Sequence, residues 1–140
     1  MIMPYLSFEG NCEEAFRWYE KIFDGKIQHL SKYGDIPDNP EAPMSVEQKE
    51  KVMHAQLMLT ESGGISGADA VWPIENGAAV SIHAHLSSET LAQKVFLALS
   101  DGGMVLGELA ANPPPDDSGI SGSVKDKYGF TWIISATRNS

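Results

Sequence analysis

A stretch that occurs twice constrains this chain more than any other feature of it. Pro4 to Ile27 reads P-Y-L-S-F-E-G-N-C-E-E-A-F-R-W-Y-E-K-I-F-D-G-K-I: an apolar run, a polar turn, an amphipathic segment, Asp-Gly, and a new apolar run. Shifted by 77 positions, the same grammar returns from Ser81 to Met104. Ala15 falls on Ala92, Trp18 on Val95, Tyr19 on Phe96, Ile22 on Leu99, and Asp24-Gly25 on Asp101-Gly102. Such self-similarity predicts a fold assembled from two copies of one unit.

At 140 residues the chain suits a single domain. The repeat divides it into two modules, about 1–70 and 78–140, joined by a linker over 71–77. A net charge of −9 argues against nucleic acid or an anionic membrane as partner, since either needs a basic face. Cys12 is the single cysteine, so neither an intrachain disulfide nor a thiolate zinc site is available. It opens a predicted helix, where a thiol pKa can fall, but a half-buried structural role is expected. No signal peptide precedes Pro4, and no apolar run approaches the roughly 18 residues of a membrane span. The expectation is a soluble, cytoplasmic protein.

In chain order, Pro4–Phe8 reads as a strand. Asn11 with Glu14 offers a capping box for a helix whose apolar stripe is Ala15, Trp18, Tyr19 and Ile22, widened by Phe16 and Phe23. Gly25 is the expected stop. Lys26–Tyr33 is a second strand. Asp35–Lys51 is an insertion without an equal in the second half, proline-rich and then helical from Ser45, suited to a lid, an arm or a surface loop. Strands follow at Val52–Leu59 and Ile65–Ala70. The second half gives a strand at Val80–Leu86, a helix at Glu89–Ser100 begun by Ser87 or Ser88, and a strand at Met104–Leu109. An irregular loop is expected over Asn112–Gly122, then a hairpin of Gly122–Asp126 and Phe130–Ala136. There the offset drops to 65, matching Gly64 to Gly129 and Ala68 to Ile133. The class is α+β: two βαβββ modules whose sheets form a shared cup.

P-Y-L-S-F-E-G-N-C-E-E-A-F-R-W-Y at Pro4–Tyr19, M-H-A-Q-L at Met53–Leu57 and V-K-D-K-Y-G-F-T-W at Val124–Trp132 resemble the PhnB-like branch of the vicinal oxygen chelate superfamily. That superfamily holds glyoxalase I, ring-cleaving dioxygenases and bleomycin or fosfomycin resistance proteins. The resemblance implies a glyoxalase/bleomycin resistance-type fold and a homodimer. It also implies a divalent metal, acting as a Lewis acid, held by His, Gln or Glu at four cup-facing positions. Those positions fall here on Pro4, Ala68, Ser81 and Ile133, of which only Ser81 is even a weak donor. The usual metal site is therefore expected to be missing. The branch is sometimes labelled methyltransferase-like, but two such modules do not provide an S-adenosylmethionine fold.

Strand alternation then assigns the cup. Ser81, His83 and His85 share one face of their strand, with Val80, Ile82, Ala84 and Leu86 on the helix side. His54, Gln56 and Met58 face the cup opposite Leu57 and Leu59. Trp132 belongs to the core, and Asp69 lies on the wrong face to be a ligand. Trp72 is left between a junction and a pocket edge, and Tyr33 and Tyr128 are unplaced. No phosphate loop is found, since G-G-I-S-G at Gly63–Gly67 carries no lysine, and no nucleophile elbow is found. The expected function is small-molecule binding or sequestration by His54, Gln56, Ser81, His83 and His85, with no cofactor. The alternative is a metal-dependent lyase, isomerase or transferase of the glyoxalase type, its divalent ion on His54, His83 and His85. A third option is a fold kept for contact with other proteins.

Overall fold

The computed structural model describes residues 1–138, in two compact units, Met1–Glu75 and from Asn76 onward. The first unit contains β1 (Tyr5–Phe8), α1 (Cys12–Phe23), β2 (Lys26–Lys32), α2 (Val46–Glu50), β3 (Val52–Met58) and β4 (Gly64–Asp69). The second contains β5 (Ile82–Leu86), α3 (Glu89–Ser100), β6 (Met104–Ala111), β7 (Gly119–Lys125) and β8 (Thr131–Thr137). Each unit forms one four-stranded sheet, ordered β1-β4-β3-β2 and β5-β8-β7-β6. In both, the first strand runs parallel to the last and the remaining pairs are antiparallel. Set element against element, the two units have one topology, and the second lacks only the α2 insertion. The class is α+β.

The element bounds keep the shift of 77, α1 mapping onto α3, but the buried faces do not. Buried Leu6 and Phe8 correspond to Ala84 and Leu86, a shift of 78. Buried Cys12, Ala15, Phe16 and Tyr19 correspond to Ala92, Val95, Phe96 and Leu99, a shift of 80. Trp18 and Ile22 are only half-buried, so the stripe is centred on Phe16 and Tyr19, not on the Trp18 line. In the closing strands, Ile65, Gly67 and Asp69 correspond to Trp132, Ile134 and Ala136, a shift of 67 in place of 65. Because strand side chains alternate, a one-residue slip moves a whole set to the other face. Pro4, aligned with Ser81 from sequence, takes the parity of Leu6 and Phe8. Tyr5 and Ser7 carry the opposite face of β1.

Asn11 makes no side-chain cap on α1. The cap comes from β4: Asp69 Oδ1 accepts from the backbone N–H of Gly10 at 2.9 Å and of Cys12 at 3.0 Å. Its Oδ2 accepts from Val52 N–H at 2.8 Å, so one carboxylate joins β4, the start of β3 and the start of α1. This replaces the capping box expected from Asn11 and Glu14. At the other end the left-handed residue is Asp24 (φ 52°), not Gly25. Gly25 is required for a different reason: a Cβ there would overlap the Met58 carbonyl oxygen of the adjacent strand.

In the insertion, Ser45 Oγ caps α2 by accepting from Gln48 N–H at 3.1 Å. For α3 the cap is Ser88, accepting from Leu91 N–H at 3.0 Å. The irregular loop is shorter than expected, since β7 starts at Gly119 and pairs Ile120 with Ala136. The proline run ends at Pro115, and Ile120 and Val124 then alternate into the core. Trp132 is fully buried there, its Nε1–H donating to Asp126 Oδ2 at 2.8 Å. Asp126 Oδ1 closes the β7–β8 turn by accepting from Tyr128 and Phe130 N–H.

Candidate functional site

In the second unit, β5 buries Ala84 and Leu86 against α3 and leaves His83 and His85 on the opposite face. Parallel pairing with β8 sets His83 beside Ile133 and His85 beside Ser135. Ser135 is 9% exposed, too dry for its hydroxyl to rely on water. It finds both imidazoles instead. Ser135 Oγ lies 2.7 Å from His83 Nε2 and 2.9 Å from His85 Nδ1, and the rings meet edge to face at 6.4 Å.

This trio borders a cleft of about 360 Å³ lined also by Asn112, Asp116, Ser121, Ile133 and Thr137. β7 and the loop before it supply the far wall. Ser121 stands opposite Ser135 in the β7–β8 register, and its hydroxyl donates to Asn112 Oδ1. Ser81 precedes β5, is exposed and does not line the cleft.

In the first unit His54 lies on β3, half-buried on the face away from α1, with Gln56 two residues on. Tyr5 stacks on His54 at 5.8 Å with 20° between the rings, its Oη 3.3 Å from His54 Nδ1. His29 on β2 approaches His54 at 5.6 Å. Desolvation, with smaller repulsion from Cys12 and Tyr33, pushes the Tyr5 phenol upward from its ordinary pKa. Each unit thus gathers its own candidates, His54 and Gln56 in the first and His83 and His85 in the second. Ser135, Tyr5 and His29 were not among them.

Ser135 could have been found, since the alternation that buries Trp132 and Ile134 puts Ser135 on the face of Ile133. Tyr5 was missed because the register chosen for β1 was one residue off. Cys12 is fully buried, not half-buried, and burial with the nearby Asp69 and Glu13 charges pushes its thiol far up. It is no reactive thiolate.

Zinc sites use three or four converging protein ligands. Among the described residues, no three His, Cys, Asp or Glu side chains are grouped to hold an ion. His83 and His85 each keep one ring nitrogen clear of Ser135, but they supply only two ligands, and His54 is in the first unit. Within the second unit the residues present do not complete the ligand set of the ion that a glyoxalase-type fold implies.

The family described as 3-demethylubiquinone-9 3-methyltransferase matches residues 1–135. Protein YjdN of Escherichia coli (strain K12) is 24% identical over 98% of this chain and 95% of its own. The crystal structure of protein PA1353 from Pseudomonas aeruginosa superposes with a TM-score of 0.83 at 29% identity, covering 99% and 98% of the two chains. A PhnB protein from Bacillus cereus, described as a putative 3-demethylubiquinone-9 3-methyltransferase, gives 0.70 at 26% identity over 99% and 98%. The fold extends to the fosfomycin resistance protein FosX of Listeria monocytogenes, solved with Mn(II), at 0.58 and 11% identity over 100% and 92%. The architecture is thus of the glyoxalase/bleomycin resistance type.

Proposed function

The chain belongs to the PhnB-like family described as 3-demethylubiquinone-9 3-methyltransferase, and from that premise we propose that it binds or sequesters a small molecule. The ligand would enter the cleft of the second unit and meet His83 and His85. What supports this is one observation: two imidazoles share the Ser135 hydroxyl beside an open cleft of about 360 Å³. That volume lies at the small end of ligand pockets, which are commonly about 300–1,000 Å³. The chemistry is mixed, with Ile133 as apolar floor and hydroxyls, an amide and a carboxylate around it.

The methyl transfer in the family's description plays no part in this reading. Nucleotide-type cofactors sit at the carboxyl edge of doubly wound parallel sheets, whereas each sheet here has a single parallel pair. His54 and Gln56 are retained in the proposal as a second contact region, on the first unit. The reading includes a homodimer, supported by the exposed apolar run Met104, Val105 and Leu106 on the edge strand β6, a surface that natural proteins usually cover. A cytoplasmic location is also proposed, in keeping with a lone reduced cysteine. No helix among the described residues is long and apolar enough to cross a membrane.

The test is a thermal-shift screen of small molecules against the native protein and a His83→Ala/His85→Ala double variant. Compounds that raise Tm only in the native protein support the reading. Compounds that stabilise both equally contradict it.

A further inference from the structure

We propose that His83, Ser135 and His85 form a self-resetting proton relay that interconverts the keto and enol forms of a neutral carbonyl compound held in the cleft. This rests on the binding reading above and adds a chemical step to it. A serine hydroxyl has one proton to give, and a neutral imidazole has one N–H and one bare nitrogen. Ser135 Oγ touches a ring nitrogen on each side, at 2.7 and 2.9 Å. A hydroxyl also has two acceptor lone pairs, so two inner N–H groups donated to it would satisfy both contacts as well; the relay uses the arrangement in which the hydroxyl donates to one ring and accepts from the other. Because Ser135 Oγ meets Nε2 of one ring and Nδ1 of the other, that arrangement holds both imidazoles as the same tautomer, both Nδ1–H or both Nε2–H.

The consequence falls on the outer nitrogens, His83 Nδ1 and His85 Nε2, which take no hydrogen bond among the described residues. In that arrangement one outer nitrogen carries a proton and the other is bare, which gives the two rings lining the cleft an acid and a base. A ligand with a C–H next to a carbonyl can use both. The bare nitrogen removes the carbon-bound proton while the other ring gives its N–H proton to the carbonyl oxygen. The electron pair of the C–H bond becomes the C=C bond of the enol, and the C=O π pair takes up the new proton. Within the relay, the first ring passes its inner proton to Ser135 Oγ, and the hydroxyl proton moves to the second ring. Both imidazoles end neutral with their roles exchanged. No charge accumulates and no co-reactant is consumed.

The lining also selects the ligand class. It includes Asp116 and neither lysine nor arginine, so an anionic substrate would meet repulsion without a counter-charge. A neutral 1,3-dicarbonyl suits it, because the C–H between two carbonyls is acidic enough for imidazole to remove. Here His83 and His85 are the catalytic residues, and Ser135 is the positioning residue that links them.

The probe is acetylacetone, with enol formation followed by ultraviolet absorbance and binding measured separately by calorimetry. Native protein is expected to bind it and accelerate its enolisation. His83→Gln and His85→Gln should each lose that acceleration. Ser135→Ala should lower kcat on the order of 100-fold, the usual reach of acid–base catalysis, while the dissociation constant stays put. Ser135→Thr, which keeps the hydroxyl, should recover most of the rate. In mixtures of light and heavy water the native rate should fall along a curve, since several protons move together. Binding without acceleration, or a folded Ser135→Ala variant as fast as the native protein, overturns the relay and leaves the binding reading standing. If acetylacetone does not bind at all, the relay falls with its substrate class, and the thermal-shift screen still decides the binding reading.

Discussion

Asp69 Oδ1 accepts the backbone N–H of Cys12 at 3.0 Å, so the last residue of β4 caps the helix that follows β1. The same carboxylate holds Gly10 and Val52; Asp69 is 3% exposed and its bonds to Cys12 and Val52 are buried, so those two N–H groups have no water to turn to. Removing a buried acceptor leaves its donors unsatisfied, at about 1–3 kcal/mol each. Asp69→Ala is expected to cost about 3 kcal/mol or more, seen as a lower urea midpoint at unchanged slope. Asp69→Asn keeps part of the acceptor set and should lose less. A midpoint unmoved in Asp69→Ala would refute this account of the cap.

Cys12 offers a second prediction, read from its reactivity. Burial, then the charges of Asp69 and Glu13, raise its pKa far above that of a free thiol. The folded chain should resist a disulfide reagent at mildly alkaline pH and react fully only once unfolded. A raised folded pKa also has a stability consequence. The contribution is whole below the unfolded thiol's value of about 8.5 and is lost progressively as pH rises above it, because the unfolded chain ionises first. Cys12→Ala should flatten that alkaline decline, which urea melts across the range will show.

Glu13 gives the opposite sign on a smaller scale. A hydrogen bond from Lys32 holds its carboxyl below the ordinary range, with Arg17 assisting. A lowered folded pKa stabilises above the unfolded value of about 4.3, and the gain fades as pH falls through the folded one. The Glu13–Lys32 pair, at 3.1 Å, is 39% and 38% exposed, so its worth is under about 1 kcal/mol. Lys32→Met is expected to cause a small loss at neutral pH that disappears in acid or high salt. A loss insensitive to both would point to packing of the lysine stem instead.

Metal content provides a fourth prediction. Two imidazoles tied to a serine hydroxyl are an incomplete set for a divalent ion. Elemental mass spectrometry of untagged protein is expected to find well under one Zn, Mn or Ni per chain. Near-stoichiometric metal that vanishes in His83→Ala/His85→Ala would overturn the metal-free site and restore the three-His enzyme alternative.

The repeat was legible in the sequence because element lengths and turn glycines survive in both halves. It led to the sheet-and-helix order, the α3 bounds and the burial of Trp132. The face-setting registers were not legible. A shift of 77 aligns α1 with α3, yet β1 and β5 require 78 and the closing strands 67, since loops of unequal length absorb the difference. That slip substituted Pro4 for Tyr5 and matched Ala68 to Ile133 when its counterpart is Ser135. Parallel pairing was the other obscure element. His85 and Ser135 are 50 residues apart, and nothing local announces that their strands are neighbours. Asp69 shows the same limit: its side chain caps a helix far back in the chain, so Asn11 looked like the natural cap.

The proposed function places a small molecule on His83 and His85 in the second unit. The most direct measurement is a histidine-selective NMR titration of the native protein with a compound from the thermal-shift screen. The account expects the ring signals of His83 and His85 to move saturably, with a dissociation constant equal to the calorimetric one. It also expects Ser135→Ala to alter both signals before any compound is added. A compound that binds saturably while both rings stay unmoved would contradict the claim and place its site elsewhere on the chain.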